Sequence, residues 1–128
     1  MIHHVSLSVS NYAKSIDFYD RSLAKLGIKR IMTFDNAVAG YGEGDHPSFW
    51  ISSQGDPTEY IGQARGLQIA FPAKSRQCVQ AWYDECLAAG GTDNGAPGPR
   101  PEYDANYFGG FIIDPDGRRI GAVTLENE

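Results

Sequence analysis

Few side chains in this sequence carry chemistry, and none forms a ready-made catalytic set. The histidines are His3, His4 and His46, and the cysteines are Cys78 and Cys86. No nucleophile stands beside a base, no glycine-rich phosphate loop is present, and no Cys/His cluster appears. His4 is the candidate general base, because an imidazole titrates near neutral pH. The other candidates are suited to holding a molecule. Trp50 offers an aromatic wall on an otherwise serine-lined strand face. Gln68 reads equally well as a ligand-orienting amide or as a partner to His4. Arg100, Tyr103 and Tyr107 lie in and after a proline-rich run. There Arg100 could hold an anionic group and Tyr103 could stack on a ring, or the loop could simply be stiff and solvated. His46, between Asp45 and Pro47, reads as a surface histidine.

The elements that must position these residues come from a repeat. Phe18-Tyr19-Asp20-Arg21-Ser22-Leu23-Ala24-Lys25-Leu26-Gly27 returns as Trp82-Tyr83-Asp84-Glu85-Cys86-Leu87-Ala88-Ala89-Gly90-Gly91, an offset of 82 − 18 = 64, half of the 128 residues. An apolar alternating run precedes each copy: Val5-Ser6-Leu7 and Ile69-Ala70-Phe71, again 64 apart. Two similar strand–helix modules in tandem follow. Module 1 covers about 1–53, a polar linker 54–65, and module 2 about 66–128, together one domain.

Totals exclude several classes of function. A net charge of −5 argues against nucleic acid and anionic membrane surfaces as partners. No apolar run reaches the roughly 20 residues of a membrane span. The N-terminus enters a strand pattern directly, without the basic and apolar regions of a signal peptide. Cys78 and Cys86 sit eight residues apart on one predicted helix, too far for a disulfide. Two reduced thiols fit a cytoplasmic protein.

In chain order, residues 2–10 alternate. His3, Val5, Leu7 and Val9 share one strand face, and His4, Ser6, Ser8 and Ser10 the other. His3 and His4 therefore point apart and cannot both ligate one ion. Ser10 or Asn11 caps the first helix, whose buried stripe is Tyr12, Ile16, Tyr19, Leu23 and Leu26. Gly27 ends it. Residues 28–34 and 37–42 are strands joined at a tight Asp35-Asn36 turn, and Ser48 to Ser52 is another. Module 2 opens with Leu67, Ile69 and Phe71 on one face. Ser75 then caps a helix with the stripe Val79, Trp82, Tyr83, Cys86 and Leu87. Residues 93–105 form an extended loop, Tyr107 to Ile113 a strand apolar on both faces, and 118–125 the last strand. Asp114-Pro115-Asp116-Gly117 has the composition of a type I turn, so its two acids are turn formers. Asp20 and Asp84 read as exposed helix residues. One face of each sheet meets helices. The other carries His4, Ser6, Ser8, Trp50, Ser52, Gln68 and Gly121, which line one cleft if the sheets curl together.

The opening Ile2-His3-His4-Val5-Ser6-Leu7, the helix with Ser15 and Phe18-Tyr19, the phrase Gly66-Leu67-Gln68-Ile69-Ala70-Phe71 and the close Phe111-Ile112-Ile113-Asp114-Pro115-Asp116-Gly117-Arg118-Arg119-Ile120 occur in an order that resembles the vicinal oxygen chelate superfamily. That superfamily includes glyoxalase I, bleomycin-resistance proteins and extradiol dioxygenases. Asn94-Gly95-Ala96-Pro97-Gly98 with Tyr107-Phe108 is similar to its short bacterial glyoxalase-like branch. The resemblance implies an α+β fold of two tandem βαβββ modules, forming an open U-shaped β-barrel with helices outside. It also implies a homodimer, with clefts completed within a chain or across the interface.

In metal-dependent members the first and last strands of each half supply His, Glu or Gln ligands to a divalent ion. The matching positions here are His4, Trp50, Gln68 and Gly121. Trp50 and Gly121 offer no donor, and Gln68 is at best a weak one. The resemblance therefore implies a glyoxalase-like protein with a degenerate metal site and no expected cofactor. It would bind a small organic molecule through His4, Trp50, Gln68, Arg100, Tyr103, Tyr107 and Gly121. The alternatives are a metal-dependent lyase or isomerase of the lactoylglutathione lyase type, or a dioxygenase, with the ion as Lewis acid. A metal-free enzyme with His4 as general base is a third reading.

Overall fold

The computed structural model describes residues 1–56, 58–61 and 66–127. Helix α1 (Tyr12–Ala24) starts where the Asn11 side chain accepts from the Lys14 N–H at 3.1 Å. Helix α2 (Arg76–Ala88) starts the same way, with the Ser75 hydroxyl accepting from the Cys78 N–H at 3.1 Å. Each cap satisfies one of the N–H groups that a helix start leaves without a partner. Strands β1 (Val5–Ser8) and β5 (Ile69–Pro72) precede them. All these boundaries repeat at 64 residues: 5 to 69, 8 to 72, 12 to 76 and 24 to 88.

The first sheet adds β2 (Lys29–Phe34), β3 (Val38–Gly42) and β4 (Phe49–Ser52), in the order β1-β4-β3-β2. Asp35 and Asn36 have φ of 54° and 51°, the left-handed pair that a two-residue hairpin requires. In the second sheet β5 pairs with β9 (Arg119–Thr124) and β9 with β8 (Phe108–Ile113). Two-residue pieces, β6 (Thr92–Asp93) and β7 (Gly98–Pro99), both pair with β8. Module 1 has one continuous strand at that place. Pro97, Pro99 and Pro101 lack the N–H groups a ladder needs, and they break its counterpart. In both sheets the first and last strands run parallel, with Ser6 opposite Trp50 and Ala70 opposite Gly121. The fold is α+β, with two helices and nine strands among the described residues, in two open mixed sheets.

One apolar core joins residues of both sheets and both helices. Phe18, Tyr19, Leu23, Val79, Trp82 and Cys86 are fully enclosed. The Phe49 ring of β4 meets the Phe71 ring of β5 edge-on at 5.1 Å. Burying side chains of this size contributes about 1.5–3 kcal/mol each. The helices touch along the core, where Arg21 pairs with Glu85 at 2.8 Å, joining positions 64 apart.

Several sequence expectations change. Leu87 is 41% exposed because it lies one helical step round from the buried Val79–Trp82–Cys86 row. Tyr12 and Ile16 are only half-buried, and Phe18 takes the centre of the α1 stripe instead. Leu67 precedes β5 and is exposed. Strand β1 begins at Val5, so His3 and His4 are not held to the strand alternation that would separate them. Their Nδ1 atoms lie 2.8 Å apart. Part of the expected linker, residues 57 and 62–65, lies outside the described residues. The described remainder of 54–61 carries no helix or strand.

Candidate functional site

The helix-free faces of the two sheets bear two hollows. The first, about 490 Å³, lies on the β1–β4 sheet. His3, His4 and His46 form its rim, Ser6 and Trp50 its floor, and Met32, Val38 and Pro47 its apolar side. The three imidazoles form a contiguous group. His3 meets His4 at 5.0 Å and His46 at 4.6 Å between ring centroids, both edge-on, and the His46 Nε2 is 3.2 Å from the His3 carbonyl oxygen. His46 is exposed, as expected, yet it is tied to the rim. Phe34, 51% exposed, lies nearly parallel to Trp50, with an interplanar angle of 12° and centroids 6.1 Å apart.

The second hollow, about 510 Å³, lies on the β5–β9–β8 sheet. It gathers Gln68, Arg100, Tyr103 and Tyr107 with Asn94, Gly95 and Phe111. Its rim is a well-tied loop. The Asp93 carboxylate accepts from the Gly95 N–H at 2.9 Å and from the Tyr83 hydroxyl at 2.7 Å, and these bonds hold its pKa below the ordinary carboxylate value. The Arg100 N–H donates to the Tyr107 carbonyl at 2.9 Å, and the Tyr107 N–H donates to the Asp104 carbonyl at 3.1 Å. Tyr103 and Tyr107 meet edge-on at 5.1 Å. Burial first, and then Tyr103, raise the Tyr107 phenol above its usual pKa, so it remains a hydrogen-bond donor at neutral pH. The Arg100 guanidinium lies over the Phe111 ring at 5.6 Å and donates to the Pro99 and Ala96 carbonyls at 3.2 and 3.1 Å. Among the described residues it has no carboxylate within 4.0 Å.

The structure therefore divides the expected site. His4 and Trp50 belong to the first hollow. Gln68, Arg100, Tyr103 and Tyr107 belong to the second, and no residue lines both. Of the residues expected to line one cleft if the sheets curl together, His4, Ser6 and Trp50 line the first hollow and Gln68 the second. Gly121 lines neither hollow, because Phe111 covers it. A Cβ on Gly121 would meet that ring at 2.7 Å. The mirror situation holds in the first sheet, where a Cβ on Gly40 would meet Trp50 at 2.8 Å. Gly in a strand forfeits roughly 0.5–1 kcal/mol relative to Ala, so each glycine needs a reason, and the covering ring supplies it.

Phe111, Asn94, Met32 and Phe34 were not picked out from the sequence. Phe111 lies on a strand apolar on both faces, where alternation cannot say which side meets solvent. Only the β8–β9 register, Phe111 opposite Gly121, reveals its place.

A sequence model of the Glyoxalase/Bleomycin resistance protein/Dioxygenase superfamily matches residues 1–121. The chain belongs to this superfamily. Its fold is similar to a glyoxalase/bleomycin resistance protein from Albidiferax ferrireducens T118, with 26% identity, a TM-score of 0.83 and coverage of 94% of this chain and 96% of that one. A putative glyoxalase from Bacillus halodurans superimposes with a TM-score of 0.72 at 22% identity, covering 97% and 95% of the two chains. Glyoxalase I from Zea mays gives 0.70 at 24% identity, covering 95% of this chain and 45% of the maize one. No curated protein matches the sequence.

The divalent ion used by metal-dependent members of this superfamily does not fit the residues present. Trp50 and Gly121 have no side-chain ligand to offer. His4 and Gln68 lie on separate hollows, and the Phe111 ring occupies the space that a side chain at position 121 would enter. Among the described residues, no group of three or more His, Cys, Asp or Glu is arranged to hold a metal ion.

Proposed function

We propose that this superfamily member binds a small organic molecule without a metal ion, as a sequestering or resistance protein does. The observation that carries this reading is the Gly121–Phe111 contact, with 2.7 Å left for a Cβ at a position where a metal-dependent relative carries a ligand. His4 and Gln68 then serve as hydrogen-bonding groups at the mouths of the two hollows. Arg100, Tyr103 and Tyr107 hold the polar end of the bound molecule.

The proposal extends to assembly: one domain spanning 1–128, working as a cytoplasmic homodimer. Two incomplete hollows on separate sheets support it. A two-fold partner that sets the first hollow of one protomer against the second hollow of the other would gather His4, Trp50, Gln68 and Arg100 into one enclosure. Edge strand β2 leaves Met32 and Phe34 uncovered beside the first hollow, a surface such a partner would bury.

Metal analysis by mass spectrometry on protein isolated without chelator tests the first part. A substoichiometric content of zinc, nickel, manganese and iron is expected. A stoichiometric ion, with turnover of a methylglyoxal–glutathione adduct or a catechol abolished by chelator, would return the reading to a lyase or dioxygenase. Sedimentation equilibrium tests the assembly, and a monomer at micromolar concentration would remove it.

A further inference from the structure

The two glycine–aromatic pairs occupy opposite strands in the two modules. In the first sheet the glycine is on the third strand of the module and the ring on the last: Gly40 on β3 faces Trp50 on β4. In the second the ring is on β8 and the glycine on β9: Phe111 faces Gly121. Neither glycine has a positive φ, so backbone conformation does not demand it. What each provides is clearance. Without a Cβ there, the neighbouring ring packs directly against the glycine. Each ring also lines its hollow, Trp50 the first and Phe111 the second, and so offers aromatic surface to whatever enters.

The surroundings of the two rings differ. Phe34 lies nearly parallel to the Trp50 ring and adds to the apolar surface there. Phe111 instead has the Arg100 cation at 5.6 Å, with the Gln68 amide and the Tyr103 and Tyr107 phenols around it. The loop carbonyls of Ala96 and Pro99 fix that guanidinium in place, and among the described residues no carboxylate neutralises it. In a chain of net charge −5, this is a positive charge held over an aromatic ring.

We infer that the ligand is a flat aromatic acid. Its ring system, of one or two fused rings, stacks on the Phe111 face, and its carboxylate reaches Arg100. Further apolar surface, where the ligand has it, meets the Trp50–Phe34 pair of the facing protomer in the proposed dimer. This rests on the small-molecule reading above and adds the chemical class.

Isothermal titration of the full chain with 2-naphthoate in excess chelator tests the inference. Its controls are 2-naphthalenemethanol, flat but neutral, and cyclohexanecarboxylate, anionic but not aromatic. The aromatic acid is expected to bind about tenfold or more tightly than either control. Arg100→Gln should erase the preference for the acid over the alcohol. Phe111→Leu, which keeps an apolar side chain, should erase the preference over the cyclohexane acid. Melting temperature confirms that both variants are folded. Equal affinity for all three compounds, or preferences unchanged in the variants, would overturn the inference. Binding of 2-naphthoate that appears only after zinc, nickel or manganese is added would instead overturn the metal-free reading. Loss of the Phe111 preference in that metal complex would remove the stacking as well.

Discussion

The Tyr19 hydroxyl, on α1, donates a 2.6 Å hydrogen bond to the carboxylate of Asp114, which opens the turn before β9 and lies 95 residues away. The same carboxylate accepts from the Asp116 and Arg118 N–H groups, each at 2.9 Å. Asp114 therefore shapes its own turn and pins the second sheet to the first helix. Around it, the Arg118 guanidinium donates to the Ser8 carbonyl and the Ser10 hydroxyl donates to Asp116. Tyr19→Phe removes one bond to a buried charge and is expected to lower stability by about 1.5–3 kcal/mol. Asp114→Ala removes the acceptor of all three bonds and should lower stability further. Urea unfolding of the two variants checks the order.

Alkaline conditions should unfold the protein through the same contact. Burial first, and then the Asp114 charge, raise the Tyr19 phenol well above its ordinary value. The folded state holds that proton more tightly than the unfolded chain, which releases it near pH 10. The resulting stability is complete below about pH 10 and is lost as pH climbs toward the folded value. Burial and Asp20 raise Tyr41 in the same sense. Stability measured from pH 8 to 11 should fall steeply in the parent protein and less steeply in Tyr19→Phe.

The two thiols should react very differently. Cys86 is enclosed in the core, and burial pushes it up to about 12, while Cys78 is only half-buried. A thiol-specific disulfide reagent at pH 8 should modify Cys78 first. Cys86 should react only at the rate of unfolding. Equal rates would show that the core around α2 opens more readily than its packing implies.

Position 121 offers a steric test. Gly121→Ala forces a methyl group against Phe111 and should destabilise by about 1–3 kcal/mol. Combining it with Phe111→Ala should give much less than the sum of the two single effects, because the conflict disappears with the ring. Gly121→Glu alone should gain no zinc by mass spectrometry. The added carboxylate has no room while Phe111 stays.

Much of the frame was legible in the residues. The 64-residue echo located both helices and both opening strands, since apolar spacing and capping side chains act locally. Asp35-Asn36 and Asp114-Pro115-Asp116-Gly117 marked their turns because few residue types tolerate those conformations. The Gly117 N–H bonds the Asp114 carbonyl at 2.9 Å, as the turn type requires. The hub role of Asp114 was invisible, because a turn-forming aspartate looks the same whether its side chain faces water or a tyrosine. The division of His4 and Trp50 from Gln68 and Arg100 was also invisible. Alternation assigns a residue to a face but does not say which faces meet. His3 and His4 came together because the strand began at Val5, three residues later than the pattern suggested.

The halves differ in one place above all. From Ser6 to Trp50 is 50 − 6 = 44 residues, and from Ala70 to Gly121 it is 121 − 70 = 51. The seven extra residues fall after α2, in the stretch whose prolines split the strand there and which carries Arg100 and Tyr103. Folding information is thus stored twice, while the rim proposed to recognise a ligand is stored once. Drift in that single rim can retune selectivity across generations without touching the doubled instructions that keep the scaffold standing.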